Sequence, residues 1–287
     1  MSAPFRSASV AALSIALASA FVPVASAQFR YRPAGELESP GGGALRPGAG
    51  RVDDRVYAPG MLFPIAGDAA YANSQIYGHG GYMGPGGGQC TAANYAYPWH
   101  DNYCEARRWT MPLCPSGTGH QGQDIRPGTC DDNRHDAVAA VDGTITNVGS
   151  YSVYLTGEDG TRYDYLHMGM VAVRSGQRVT RGQVLGKVSD EFGGSSTTIH
   201  LHFNLRQNVS GMGSIYVPTY MSLVRAFEAI SGPPPYRATF VSQSFPFARD
   251  PFELAPGELV SGTIELRNDG GEPWRPGEVF LGTTEPR

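Results

Sequence analysis

The sequence predicts a mainly β protein, with an antiparallel β-sheet core joined by long loops. Its composition, with 38 Gly and 22 Pro among 287 residues, favours strands connected by turns. From Ala137 onward, short runs of alternating apolar and polar residues are separated by turn signals, which is the pattern of half-buried antiparallel strands. We therefore expect a β core of about 100 residues, the size over which this alternation extends.

The first 27 residues have the layout of a secretory signal. Arg6 supplies a positive charge, residues 10–24 are apolar, and Ala25-Ser26-Ala27 is a small-residue cleavage site. We expect export to the periplasm or the outside of the cell, with Gln28 as the first mature residue. The apolar stretch is too short and too rich in Ala and Ser for a good membrane span, and no Cys follows the cleavage site. No membrane or lipid anchor is therefore expected.

Residues 28–60 contain two Gly- and Pro-rich stretches and show no helical or strand period, which predicts a linker or a poorly ordered arm. A domain is predicted over residues 61–231. Its first part, residues 61–135, is rich in Gly, Tyr and Pro, as expected of an irregular subdomain with long loops.

Four cysteines lie in this irregular part: Cys90, Cys104, Cys114 and Cys130. An even number in an exported chain predicts two disulfides, and the sequence does not choose among the three possible pairings. A four-cysteine metal site is the rival reading, but it needs Cys-x-x-Cys spacing, which is missing. The cysteines surround His120, so the bridges are expected to stiffen the loop that carries it.

The strands of the core follow one another closely. Alternation and turn signals predict them at residues 138–148, around Asp142-Gly143, and at 151–155, 161–167 and 198–203, with a short strand, turn and strand over 176–186. One amphipathic helix is predicted over residues 219–230, and Ser231-Gly232-Pro233 ends it.

A second unit is predicted over residues 236–287. Alternation over residues 263–267, a turn at 268–271 and Trp274 resemble the first strands of an immunoglobulin-like accessory module. Such a sandwich needs about 100 residues, so a short C-terminal β segment, or part of such a module, is expected here.

Candidate metal ligands stand in two short motifs. His200 and His202 lie two apart on a predicted strand and therefore face the same way, while His120 and Asp124 lie four apart. Catalytic zinc takes three protein ligands and leaves a fourth position for water. The candidates are His120, Asp124 and one of His200 and His202. His167 lies on a strand that could neighbour the last one, and no Glu lies in either motif, so a His must act as the base.

Four motifs in order resemble those of a known family. They are His120 to Asp124, Tyr165-Leu166-His167, the Val- and Gly-spaced stretch 173–186, and His200-Leu201-His202-Phe203. With these, residues 115–206 resemble the lysostaphin-type (LytM-like) zinc endopeptidases of bacterial cell walls. The resemblance implies the lysostaphin-type fold, with a catalytic core at 115–206 inside the 61–231 domain.

The same resemblance implies a division of labour among the site residues. His120, Asp124 and His202 would hold one zinc ion per chain, and His167 and His200 would be the catalytic pair. The implied substrates are peptidoglycan peptides. Asn204 stands where many relatives have Glu. His79, His100 and His135 are expected to be structural or surface residues.

Other functions remain open at this stage. One is an inactive relative that binds cell wall or activates another hydrolase; another is a broader secreted protease that acts on Gly-rich proteins. The formal net charge of −4 gives no electrostatic argument for nucleic acid or an anionic membrane as a partner. A monomer is expected, and residues 28–110 could hold an inhibitory segment, although no motif in them indicates one.

Overall fold

Antiparallel strand pairing builds the protein, as the alternating sequence pattern predicts. A computed structural model describes residues 29–39, 47–67, 69–232, 236–244, 261–277 and 279. The predicted signal sequence, residues 1–27, and Gln28 lie outside the described residues. Within them, no helix is both long enough and apolar enough to cross a membrane.

The regular elements are short, as expected of a chain rich in turns. The strands are Ala70–Ala72 (β1), Gln123–Pro127 (β2), Asp136–Val138 (β3), Gly143–Val148 (β4), Ser152–Gly157 (β5), Arg162–Leu166 (β6), Met168–Gly169 (β7), Arg178–Val179 (β8), Val184–Val188 (β9), Leu201–Val209 (β10), Gly213–Val217 (β11), Ala238–Gln243 (β12) and Ile264–Asn268 (β13). The helix is Tyr220–Ser231 (α1), with a short 3-10 turn at Ala92–Tyr95.

The main sheet has the strand order β1-β2-β10-β6-β5-β4-β8, and β11 pairs with the far end of β10. A second sheet has the order β3-β9-β7, and β12 pairs with β13. Each of these pairings is antiparallel. The predicted mainly β, antiparallel fold is confirmed. The long central strand β10 lies between β2 and β6, so it brings both neighbours to the motif at its start.

One face of β10 anchors the sheet in the core. Leu201, Phe203 and Leu205 are fully buried and alternate with polar residues that face the other way. Burying each such side chain stabilises the fold by about 1.5–3 kcal/mol relative to leaving it exposed. Helix α1 adds Leu223 and Phe227 to the same core cluster. The polar face of β10 is thus held by packing on its opposite side.

The described residues of the predicted linker or arm pack on this core. Phe29 is buried, and its ring lies 4.8 Å from those of both Trp99 and Phe227. Tyr31 forms a β-bridge with Trp99. Aromatic side chains bury a large apolar area, so two of them hold a Gly-rich segment whose composition suggested a free linker.

Both predicted disulfides are present. They join Cys90 to Cys130 and Cys104 to Cys114. The second bridge lies next to the predicted site, because the Cys104 N–H donates to the His120 carbonyl at 3.1 Å. This hydrogen bond links the bridge directly to the His120 loop, which supports the expected stiffening of that loop.

At the C-terminal end, β12 and β13 form an antiparallel pair with a register shift between Phe240 and Ser242. Residues 245–260, which join the two strands, lie outside the described residues. An immunoglobulin-like module here and the domain boundaries given above stay predictions.

Candidate metal centre

Strand register brings two of the predicted ligands together. Asp124 of β2 lies directly opposite His202 of β10, and directly opposed residues of antiparallel strands project to the same face. His120 reaches the pair from the loop just before β2. Gly122 makes that approach possible, because a Cβ there would collide with the Phe203 carbonyl and the Asn204 side chain.

The three side chains form a compact, buried cluster. The Nε2 atom of His120 lies 3.0 Å from Nδ1 of His202. The Oδ1 atom of Asp124 lies 2.9 Å from that Nδ1 and 3.3 Å from the Nε2 of His120. All three residues are at most 5% exposed. Among the described residues, this is the group of His, Cys, Asp and Glu side chains whose ligand atoms converge as a metal site requires.

Hydrogen bonds on the far side of each imidazole fix where its proton lies. The Nδ1 atom of His120 bonds to the Asn102 carbonyl at 3.0 Å, and Nε2 of His202 bonds to Oδ1 of Asn204 at 2.7 Å. Carbonyl oxygens only accept, so these two nitrogens carry the protons. The facing nitrogens, Nε2 of His120 and Nδ1 of His202, therefore present lone pairs to each other.

This arrangement suits a zinc ion. Two lone pairs 3.0 Å apart beside a carboxylate oxygen repel one another unless a cation lies among them. In a tetrahedral zinc site with bonds near 2.1 Å, ligand atoms lie roughly 3.4 Å apart. The distances of 2.9 to 3.3 Å among the three atoms need only a small expansion to match. The chemistry and spacing of the donor set therefore fit the metal.

The carboxylate is held in the form that a metal needs. Burial alone would raise the pKa of Asp124, but the imidazoles of His120 and His200 outweigh it and hold the pKa well below its usual range. Metal ligands of this type must be deprotonated. Asp124 therefore offers a charged oxygen to the centre.

Asn102 supports two of these ligands at once. Its carbonyl accepts the Nδ1–H of His120, and its side-chain oxygen accepts the backbone N–H of Asp124 at 3.1 Å. Asn102 is fully buried. No sequence signal marks this residue, because it lies in an irregular segment well before the motif it serves.

His200 adjoins the cluster without belonging to it. It lies immediately before β10. The strand predicted from residue 198 therefore begins at Leu201 in the structure. Its Nε2 atom is 3.5 Å from Oδ1 of Asp124, and its Nδ1 atom donates to the Thr198 carbonyl at 2.7 Å. The ring thus presents its second nitrogen to the metal cluster.

His167 lies beside His200, with ring centroids 4.5 Å apart. Its Nδ1–H donates to the Glu191 carbonyl at 2.9 Å. Burial, reinforced by His200, lowers the pKa of His167 to about 3, so its imidazole is neutral.

The backbone of His167 is strained to hold this position. Its φ of +61° is left-handed, a conformation that costs a non-glycine residue roughly 1–2 kcal/mol. Ser189 secures it, because both its N–H and its hydroxyl donate to the His167 carbonyl.

Aromatic side chains border the centre on two sides. The Tyr151 ring stacks on His167, and Phe192, which is 49% exposed, lies 5.4 Å from that ring. On the other side Trp109, 48% exposed, lies 6.5 Å from His120. The cluster therefore has an apolar border that remains partly open to solvent.

The remaining histidines lie elsewhere. His79 contacts the Gly86 carbonyl, and His135 contacts the Thr129 hydroxyl. His100 is partly buried, and its Nδ1 atom has no hydrogen-bond partner among the described residues. None of the three joins the metal cluster in the described part of the chain.

Residues 118–213 match the family model described as peptidase family M23. This stretch of the chain is similar to the M23 peptidases. All five predicted site residues lie inside the matched stretch, whereas Asn102 and both residues of the Cys104–Cys114 bridge precede it.

Three solved structures illustrate the similarity. A putative glycyl-glycine endopeptidase LytM from Ruminococcus gnavus is 21% identical with a TM-score of 0.38, covering 59% of this chain and 61% of that one. The lysostaphin catalytic domain from Staphylococcus simulans is 26% identical with a TM-score of 0.29, covering 40% and 89%. A putative M23 peptidase from Pseudomonas aeruginosa is 25% identical with a TM-score of 0.29, covering 36% and 43%. The match to the Ruminococcus protein thus spans less than two thirds of its length, and the family assignment rests on residues 118–213.

Proposed function

We propose that this protein is an exported, zinc-dependent endopeptidase that hydrolyses peptide bonds in peptidoglycan stem peptides or cross-bridges. One observation carries the proposal: inside an M23 domain, two proton-free imidazole nitrogens and a buried carboxylate oxygen converge within about the spacing of a zinc site. Two disulfides support export, because such bridges persist in oxidising compartments.

His120, Asp124 and His202 would hold the metal. Zinc, when bound, polarises a scissile carbonyl and lowers the pKa of a water molecule to about 7. With three protein ligands, one position is left for reactants. The buried hydrogen bonds that the two imidazoles donate to the Asn102 carbonyl and the Asn204 side-chain oxygen keep the ligand nitrogens aimed at that centre.

His167 and His200 would move protons. In both rings Nδ1 donates to a backbone carbonyl, so each Nε2 is free to accept or hold a proton. One ring would accept a proton from the attacking water, and the other, protonated, would donate to the oxyanion that develops on the substrate. General acid–base catalysis of this kind contributes about 10²–10⁴ in rate.

The border of the centre supports a peptide substrate. Trp109 and Phe192 flank the cluster and remain about half exposed, so an extended peptide could lie between them across the metal. Among the similar proteins, one is named a putative glycyl-glycine endopeptidase and another an antimicrobial peptidase. Short, Gly-containing wall peptides are the substrate class that we infer from this.

The test is digestion of purified peptidoglycan, with casein and elastin in parallel, by the zinc-loaded protein. Mass spectrometry of the products should show new peptide termini from the wall only, and His202→Ala should release none. Cleavage of casein or elastin without wall cleavage would favour the broader secreted protease. Wall binding without products, in protein that retains less than half an equivalent of zinc, would favour the inactive binder.

A further inference from the structure

Two glutamine side chains hold the segment that leads into β10. The side-chain oxygen of Gln75 accepts a hydrogen bond from the Thr198 hydroxyl at 2.7 Å. That of Gln89 accepts the Ile199 N–H, also at 2.7 Å. Both glutamines precede the M23 match at residues 118–213. A Gly-rich segment outside the matched residues thus forms hydrogen bonds with the two residues that precede His200.

The orientation of the Gln75 amide is set by its other contacts. Its Nε2 atom donates to the backbone oxygen of Asn73 at 3.1 Å and to the side-chain oxygen of Asn73 at 3.0 Å. Gln75 is 7% exposed, so water competes little for these bonds. Its Oε1 atom is therefore the one that faces Thr198.

This orientation determines what Thr198 can offer to His200. A hydroxyl has one proton, and that of Thr198 goes to Gln75. Toward Nδ1 of His200, 3.1 Å away, the Thr198 hydroxyl can therefore present only a lone pair. The Thr198 carbonyl, 2.7 Å from the same nitrogen, is also an acceptor. Both contacts require the proton on Nδ1, which leaves Nε2 free on the side of Asp124.

The β10 ladder does not include this segment, although the Thr197 N–H just before it donates to the Asp190 carbonyl at 2.8 Å. The first residue of β10 is Leu201, so Thr198 and His200 precede the ladder of the sheet. Without the Gln75 amide, the Thr198 hydroxyl could turn its proton toward His200 and the side chain could change rotamer. The tautomer and tilt of the His200 ring would then no longer be fixed.

We propose that Gln75 is a positioning residue for His200, acting through Thr198, with Gln89 as the backbone anchor of the same segment. The catalytic meaning of this role rests on the proposed function above. The hydrogen-bond relay from Gln75 to His200 does not depend on it.

The test compares Gln75→Leu and Thr198→Val with Thr198→Ser, which keeps the hydroxyl. In metal-free full-length protein labelled with 15N-histidine, NMR couplings report which ring nitrogen of His200 carries the proton. Gln75→Leu frees the Thr198 hydroxyl to donate to Nδ1 and should show mixed tautomers, whereas the wild type, Thr198→Ser and Thr198→Val, in which nothing donates to Nδ1, should show protonated Nδ1. In zinc-loaded protein, kcat should fall about 10–100-fold in Gln75→Leu with KM and zinc content unchanged, as for other outer-sphere partners.

Gln177→Leu is the matched control. In the wild type, the side-chain oxygen of Gln177 accepts the backbone N–H of Arg174 in a loop that does not contact the cluster. This variant should behave as wild type in both measurements. Wild-type kcat and an unchanged His200 tautomer in Gln75→Leu would overturn the proposal. If the wild type itself cleaves no wall peptide, the proposed function fails, and the NMR comparison still decides the role of Gln75.

Discussion

The side-chain oxygen of Asn204 lies 2.7 Å from Nε2 of His202, two residues earlier on the same strand. Both side chains are buried, at 1% and 5% exposure. This one contact places the His202 proton on Nε2 and directs the Nδ1 lone pair at His120 and Asp124. Asn204 thus supplies the acceptor oxygen that orients this ligand.

Replacing Asn204 should weaken metal binding without touching a ligand. We expect Asn204→Ala to lower zinc affinity about 10–100-fold, the usual effect of removing an outer-sphere partner, because His202 can then adopt the wrong tautomer. Asn204→Asp keeps an acceptor and should retain most of the affinity. Competition with a chelator measures both, and Asn208→Ala, at an exposed position on β10, is the control. Equal zinc affinity in Asn204→Ala and the wild type would contradict this role.

His202 and His200 should separate metal binding from catalysis. We expect His202→Ala to lose both zinc and activity, since it removes a ligand. His200→Ala should keep zinc and lose activity, since its ring lies outside the ligand cluster. Elemental analysis and a wall-digestion assay on the same samples decide this, with His79→Ala as the control. A His202→Ala protein with wild-type zinc content and activity would sink the assignment.

Removing one disulfide should mainly lower the stability of the fold, and removing the other should mainly lower the affinity for zinc. The entropic loop model gives about 3 kcal/mol for a short loop such as that of Cys104–Cys114 and about 4 kcal/mol for a longer one such as that of Cys90–Cys130. Only Cys104 donates to the His120 carbonyl. Replacing both cysteines of a bridge by Ser should therefore destabilise the fold more for Cys90–Cys130 and weaken zinc binding more for Cys104–Cys114.

Urea unfolding and chelator competition on the two double variants test this ranking. A larger loss of zinc affinity on removal of Cys90–Cys130 would show that the contact between Cys104 and His120 does not support zinc binding.

Asp101 should make stability depend on pH. Its carboxyl is buried, and burial raises its pKa to about 7, although the N–H groups of Tyr103 and Gly35 act in the other direction. With a folded-state pKa above the unfolded value, the folded protein binds the proton more tightly. The resulting stability is present below about pH 4 and is lost as the pH rises through about 7.

Between pH 5 and 8 this group should remove about 3 kcal/mol from the free energy of unfolding, at roughly 1.4 kcal/mol per pKa unit. Asp101→Asn cannot ionise and should lack this part of the pH dependence. The measurement is urea unfolding of both proteins at the two pH values. Parallel curves for wild type and Asp101→Asn would contradict a raised pKa.

Local patterns in the sequence were sufficient to predict the fold class. Alternation identifies strands. The spacing of His200 and His202 predicts both on one strand, but in the structure β10 begins at Leu201, so His202 lies on it and His200 just before it. The ordered motifs indicate a resemblance to the lysostaphin-type endopeptidases, and residues 118–213 match the model of peptidase family M23. Each strand pattern and each single motif consists of residues that lie only a few positions apart along the chain.

The parts that sequence could not supply are non-local. The pairing of Asp124 with His202 depends on strand register across 78 residues. Asn102 and Gln75 act from an irregular segment without periodicity, through single hydrogen bonds to residues far along the chain. The choice among three disulfide pairings likewise depends on the folded path. The burial of Phe29 against Trp99 could not be predicted either, because the Gly-rich sequence after Phe29 carries no strand or helix pattern.

The left-handed backbone at His167 bears on attempts to make this protein more robust. With φ at +61°, the position suits glycine better than histidine by local conformational energy. A redesign that ranks substitutions by folding stability would favour replacement here and would discard one of the two rings proposed for proton transfer. Position 167 should be held constant in any thermostabilised version, because its strain is the cost of placing the ring for the proposed proton transfer.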